Sequence, residues 1–366
     1  MRSTGTASND AEHAEVAELA TRLSGLSGAK DTGKSGRPWL SQLFFSAMWL
    51  ATLAIGAVAI LRVCYHDGTH FLTWINAFTR YVYLPSYGLL LLALWKRRRW
   101  LAVANLFIVA CHLYWIAPDF LPDRSAIAAG SATAVDGQAT KKLRIFFANV
   151  HNLNLERGAM LREIRDANPD VIILVEFTML WRKAFVHSPF VAEFPYGTGL
   201  AADQAADNSI NIFSKLPLKS DTREWIADRC VETIEIPIGS QTLRLVGLHA
   251  PRPMDFRDND YNGFWSRVVP QLLNTPKPLV VVGDFNATQY SRVYQELRRG
   301  GLRSAHEDRG RGYAVTWPNG HYVVPPIRID QALLSAGVEC LGISEGRGLG
   351  SDHKPLILDV AIPQRP

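Results

Sequence analysis

Three apolar, β-branched runs in the C-terminal two-thirds of this chain each stop at a polar residue. Leu279-Val280-Val281-Val282 leads through Gly283 to Asp284, and Val171-Ile172-Ile173-Leu174-Val175 leads to Glu176. Leu143-Arg144-Ile145-Phe146-Phe147 leads through Ala148 to Asn149. Such runs read as buried strands. Val246-Gly247-Leu248 before His249 repeats the pattern, and Ser351-Asp352-His353 precedes a further apolar strand, Pro355-Leu356-Ile357-Leu358. Sheets that carry Asn, Glu, Asp and His at their strand ends assemble a polar site on a rigid frame.

Each short segment recurs by chance, but the ordered set is specific. Asn149, Glu176, Gly283-Asp284-Phe285-Asn286, Arg328-Ile329-Asp330 and Ser351-Asp352-His353 together resemble the endonuclease/exonuclease/phosphatase superfamily, here as a membrane-anchored, bacterial-type member. That superfamily includes deoxyribonucleases, exonuclease-III-type abasic endonucleases, sphingomyelinases and inositol polyphosphate 5-phosphatases. The resemblance implies an α/β fold, a two-sheet α/β sandwich with outer helices, placed here over residues 142–366. Two of the helices are legible. One is expected over Leu155–Ala167, ended by Asn168-Pro169, and one over Ser291–Arg299, ended by Gly300-Gly301.

The resemblance also implies hydrolysis of phosphate esters with a divalent cation. A hard-oxygen ligand set suits Mg²⁺ or Mn²⁺. Glu176 is the expected leading ligand, with Asn149 and Asp352 contributing to the metal site. Asn152 and Asn154 read as turn residues. Asp284 is expected to orient or deprotonate the attacking water, and Asn286 to contact phosphate. The two stand two apart, so an extended chain would send both to one side, and Gly283 permits close backbone approach. His353 is expected as a general base or a transition-state donor. Asp330 matches the carboxylate that pairs with that His and fixes its tautomer; a surface salt bridge with Arg328 is the rival. A hydrolase triad within Ser351-Asp352-His353 fits poorly, because adjacent residues do not readily form that relay.

His249 is expected to protonate the leaving oxygen, as in the deoxyribonuclease and sphingomyelinase branches. The abasic endonucleases carry a Tyr at this place. The carboxylate partner of this His in the deoxyribonucleases has no clear counterpart, because Asn208-Ser209-Ile210-Asn211 offers Asn instead. Beside His249, the segment Arg252–Trp265 reads either as a lid whose Arg252 or Arg257 grips phosphate or as the start of a surface helix running to Leu273. The loop His306–Asn319, with Arg309, Arg311, Tyr313 and Trp317, either stacks bases or packs on itself.

The N-terminal third has a different composition. Leu43–Leu61 is uninterruptedly apolar, and Trp100–Pro118 is a second such stretch, each about long enough to cross a bilayer. Between them Tyr81–Trp95 is shorter and contains Pro85. Three membrane helices are expected within 39–118, after a disordered segment 1–38, in which Ala11–Leu26 could form a transient helix, and before a linker 119–141. Lys30, Lys34 and Arg37 precede the first helix, and Lys96–Arg99 follow the second. Positive loops stay cytoplasmic, so a multi-pass protein of the cell membrane with an extracytoplasmic catalytic domain is expected; if Tyr81–Trp95 does not span, that placement reverses.

The net charge of +5 is partly explained by those clusters and points only weakly to nucleic acid. No Cys/His spacing suggests structural zinc, and whether Cys230 and Cys340 bond is open. The expected function is a membrane-anchored, metal-dependent phosphodiesterase or phosphatase acting on nucleic acid or lipid, with no obligate protein partner. The alternative is a catalytically silent binding domain on the same fold.

Overall fold

The computed structural model of the protein describes residues 21, 38–121, 140–198, 210–253, 260–320 and 324–364. The expected disordered segment, apart from Thr21 and Pro38, lies outside them, as do residues 122–139 of the expected linker, Asn208, Ser209 and Arg257. The chain divides into two compact units, Met1–Ala51 and Thr52–Pro366. The first contributes the start of helix α1 (Pro38–Tyr65).

The second unit continues through short helices α2 (His70–Ala77) and α3 (Thr79–Val82), then α4 (Leu84–Trp95) and α5 (Arg99–Ile116). Pro85 does not break α4 because it sits in the first turn, where its missing N–H has no helical partner to lose. Two helical stretches, Trp39–Tyr65 and Arg99–Asp119, are long and apolar enough to cross a membrane.

The side-chain contacts fix how these helices run. Asn105 Nδ2 donates to Thr52 Oγ1 at 2.9 Å, and the Arg62 guanidinium lies 4.8 Å from the centre of the Trp115 ring. Partners on α5 therefore advance with position along α1, so residues 52–65 run parallel to α5. Tyr87 OH meets His112 Nδ1 at 3.1 Å while Tyr83 packs on Trp115 at 5.0 Å, so α4 runs antiparallel to α5. Helix α4, which lies in the middle of the three expected spans, has 12 residues and is not among the stretches long and apolar enough to cross a membrane.

The rest of the unit is two mixed six-stranded sheets. The first joins β1 (Thr140–Asn149), β2 (Val171–Val175), β3 (Tyr196–Gly197), β4 (Asn211–Ser214), β11 (Glu339–Glu345) and β12 (Leu356–Pro363). The second joins β5 (Ser220–Ile226), β6 (Arg229–Ile238), β7 (Gln241–His249), β8 (Leu279–Asp284), β9 (Arg303–Ser304) and β10 (Asp330–Leu334). Strand periodicity explains the layering. Val171, Ile173 and Val175 meet Val280 and Val282 between the sheets, whereas Ile172 and Leu174 face outward.

On the first sheet's outer face lie α6 (Arg157–Ala167) and α7 (Met179–Val186); on the second's lie α8 (Asp260–Asn274) and α9 (Arg292–Arg299). A short α10 (Ala305–Asp308) follows β9. Fully burying each large aliphatic side chain in these layers contributes roughly 1.5–3 kcal/mol. The result is a two-sheet α/β sandwich.

Helix α6 starts two residues later than its sequence suggests, because Leu155 is exposed and Glu156 is the cap. It ends as expected at Asn168, which adopts a left-handed φ of 46°. Cys230 and Cys340 are both buried and free.

Candidate active site

Strand register gathers the polar residues at one edge. The parallel pair β7/β8 sets His249 beside Asp284, and the antiparallel pair β8/β10 sets Asp330 on Asp284's other side. In the facing sheet, Asn149 pairs with Val175, one residue before Glu176. Gly283 lets β7 and β8 approach, since a Cβ there would overlap the Leu248 carbonyl.

The two sheets meet through Asn149. Its Nδ2 donates to Glu176 Oε1 at 3.0 Å and to Asp284 Oδ2 at 3.2 Å. Glu176 Oε2 accepts the Asn152 N–H at 3.1 Å. Asp284 Oδ2 lies 3.6 Å from His249 Nε2 and 3.8 Å from His353 Nε2. On the far side of its ring, His353 Nδ1 is 2.9 Å from Asp330 Oδ2. Ser351 anchors this loop, donating to the Asn149 carbonyl at 2.7 Å and accepting the His353 N–H at 3.0 Å.

Asp352 stands at the rim, 40% exposed, and accepts the Trp317 indole N–H at 3.2 Å. A residue missed in the sequence joins it to Glu176: His151 Nδ1 is 3.4 Å from Asp352 Oδ1 and 3.8 Å from Glu176 Oε2. Its only signal was its place two residues after Asn149.

Three site residues adopt a left-handed backbone. His151, Glu176 and Asn286 take φ values of 57°, 57° and 47°, a region costly for residues other than glycine and found at functional sites. This corrects the expected period-two placement of Asn286. The strand ends at Asp284, whose Oδ1 caps the Asn286 N–H at 2.9 Å, and Asn286 Nδ2 donates to the Ala250 carbonyl at 2.8 Å. The Asx-type turn and a site position therefore coexist, since Asn286 still lines the cleft. The rival pairing of Arg328 with Asp330 does not form; Arg328 is buried and donates to the Gly312 carbonyl at 3.2 Å. Asn154 does make a turn, accepting the Glu156 N–H.

Burial and charge set the protonation pattern. Burial pushes the His353 imidazolium down, but Asp330 and Asp284 outweigh it and raise its pKa to about 10. Burial holds the His249 pKa below its ordinary value. Burial raises Asp284 despite its imidazole neighbours. For Glu176 burial acts upward, yet the Asn149 amide, His249 and the Asn152 N–H prevail and hold it low. At neutral pH the site thus pairs a cationic His353 with a neutral His249. His249 Nδ1 and Asp330 Oδ1 are buried without a hydrogen-bond partner.

The other loop residues divide. Trp317 and Arg252 line the cleft beside Asn286, Asp352 and His353, whereas Arg311 is tied to Glu345 at 2.7 Å and Tyr313 packs on Phe120 and beneath Arg80.

The sequence matches the Endonuclease/Exonuclease/phosphatase family over residues 147–353, more than half of the chain. The protein belongs to this family. Solved members of the endonuclease/exonuclease/phosphatase fold align with it. TDP2 of D. rerio, complexed with a single-strand DNA product, gives a TM-score of 0.50 at 16% identity over 60% of this chain and 99% of that one. D. rerio TDP2 humanized by 14 mutations gives 0.50 at 15%, over 60% and 98%. The endonuclease/exonuclease/phosphatase from Bacteroides vulgatus gives 0.49 at 15%, over 61% and 99%. At such identities the two alignments with a TM-score of 0.50 show the fold alone. No curated protein matches the sequence.

Proposed function

We propose that this protein is a membrane-anchored phosphoesterase that uses Mg²⁺ or Mn²⁺ to hydrolyse a phosphodiester of nucleic acid or lipid. The observation that carries this reading is Asp284 Oδ2, set 3.6 Å and 3.8 Å from two imidazoles of opposite protonation tendency.

The donor set fits a hard cation. The ion-pair partners of Glu176, Asp284, Asp330 and Asp352 are all imidazoles, so the site carries negative charge that no Lys or Arg among those pairs offsets. Glu176 and Asp352, flanking His151, would hold the ion with the Asn149 amide beside them. Asp284, Asp330 and His353 also cluster within metal-binding reach, but the 2.9 Å His353–Asp330 bond already uses two of those groups. When bound, a divalent cation would neutralise phosphate charge.

The chain's own residues would divide the remaining work. Asp284, with neutral His249 beside it, accepts a proton from the attacking water. His353, held cationic by Asp330, donates to an oxygen that gains negative charge in the transition state. Asn286 and Arg252 line the cleft where the phosphate would lie. This narrows the two roles open to His353 in favour of the donor. The high folded-state pKa of His353 disfavours the general-base role, and the lowered pKa of His249 suits a neutral neighbour that assists Asp284 better than a leaving-group donor.

Residues 39–118 serve in this reading as the anchor and 142–366 as the catalytic domain, outside the cytoplasm by the charge of Lys96–Arg99. What speaks against a silent binding domain is that His249, Asp284, Asp330 and His353 are all present and buried together. The test is a panel of DNA, RNA, phospholipid and inositol phosphate substrates with Mg²⁺. Hydrolysis of none of them would contradict the reading.

A further inference from the structure

The wall of the cleft does not come from the sandwich alone. A cavity of about 320 Å³ is lined by Arg252, Asn286 and His353 and, in the same space, by Trp74 and Phe78 from the segment between α1 and α4. We propose that the substrate is a lipid phosphodiester resident in the bilayer, whose phosphate enters at Arg252, Asn286 and His353 while its apolar portion lies along Trp74 and Phe78. The proposal rests on the phosphoesterase reading of the site.

The wall is built into the fold. Phe78 clusters with Ile327 and Ile329, and its ring meets Trp74 edge-on at 5.2 Å. The His70 ring lies 2.9 Å from the Pro253 carbonyl, and Tyr81 OH donates to the Pro326 carbonyl at 2.7 Å. These contacts hold α2 and α3 against Pro253 and Pro326.

The wall also adjoins the part of the chain expected to meet lipid. Helix α2 begins five residues after α1 ends at Tyr65. Tyr65, Phe71 and Trp74 remain 65%, 65% and 40% exposed, and Trp and Tyr are the side chains enriched at a membrane–water interface. A single-strand nucleic acid asks for a cationic groove along its backbone. Among the described residues that line this cavity, Arg252 is the one Lys or Arg. An apolar wall facing one guanidinium and the His353 imidazolium fits one phosphate on an apolar body better than a polyanion.

The reaction balances as a hydrolysis. Water's oxygen bonds to phosphorus, the P–O bond to the leaving group breaks, one water proton passes to the protein and one proton reaches the leaving oxygen. The products are a phosphomonoester and an alcohol.

The experiment uses the full chain reconstituted in vesicles of phosphatidylcholine and phosphatidylglycerol with Mg²⁺. It compares phosphate-ester hydrolysis of those lipids, of soluble bis(p-nitrophenyl) phosphate and of single-stranded DNA. Lipid hydrolysis is expected, and Trp74→Ala should lower the lipid-to-soluble ratio of kcat/KM by about tenfold, chiefly through KM. Trp74→Phe should restore most of it, a rescue that loss of folding would not show. Hydrolysis of the soluble probe or DNA without hydrolysis of lipid overturns the substrate class and leaves the phosphoesterase reading standing. An unchanged ratio in Trp74→Ala overturns the wall's role. Hydrolysis of no substrate overturns both.

Discussion

Asp330 Oδ2 lies 2.9 Å from His353 Nδ1 and, through that contact, sets both the tilt and the charge of the imidazole that faces Asp284. The carboxylate is fully buried, and only a partner holding a proton at Nδ1 makes that burial tolerable.

This relationship predicts a graded mutational series. His353→Ala and Asp284→Asn should each lower turnover on the order of a hundredfold or more. Asp330→Asn should cost less, because the imidazole remains. In the same variant the His353 titration, followed by NMR without added metal, should move down from about 10 toward the ordinary range. The sign follows from the cause: removing a negative neighbour destabilises the imidazolium. An unmoved titration would show that Asp330 does not set this charge.

Glu176 should govern the metal requirement. Glu176→Gln is nearly isosteric, and the amide still accepts at one atom. The concentration of Mg²⁺ needed for half-maximal activity should rise in the variant while the unfolding temperature stays close to the wild type. A normal rate with an unchanged half-saturating concentration would remove Glu176 from the ligand set.

The strand-borne part of the site was legible in the sequence because each apolar run ends at its functional residue, and sheet register does the rest. His249, Asp284 and Asp330 become neighbours simply because β7, β8 and β10 pair in that order. His151 was not legible, since its role depends on a left-handed turn that local sequence does not announce. Asn286 lines the cleft, but a turn and not the expected strand alternation directs it there. The Trp74–Phe78 wall was invisible for another reason. Its contacts join residues more than 170 positions apart, as between His70 and Pro253, and no periodicity encodes such distances.

The helices and the sandwich are joined by a buried charge network that can be tested directly. Arg80 Nε lies 3.1 Å from Asp119 Oδ2 and 2.9 Å from Tyr290 OH, while Tyr290 also donates to Asp119. The Arg80 and Asp119 side chains are 4% and 1% exposed. Asp119→Ala strands a buried guanidinium and should destabilise by roughly 3–5 kcal/mol. Tyr290→Phe removes one hydroxyl and should cost about 1–3 kcal/mol. Thermal unfolding in detergent would read both, and equal losses would contradict the ranking.

Topology offers an independent test. A reporter fused after Gln364 should register outside the cytoplasm and one fused at Arg98 inside, because Lys96–Arg99 hold their loop there. A cytoplasmic signal from the Gln364 fusion would reverse the orientation without changing the chemistry.

The central claim is metal-dependent phosphoester hydrolysis at the Asp284 site, and one measurement addresses it most directly. Purified full-length protein is assayed on bis(p-nitrophenyl) phosphate with Mg²⁺, with excess chelator, and with Mg²⁺ restored, alongside Asp284→Asn. Hydrolysis should vanish in chelator, return with Mg²⁺, and fall on the order of a hundredfold or more in the variant. Full activity in chelator, or wild-type activity in Asp284→Asn, would contradict the account.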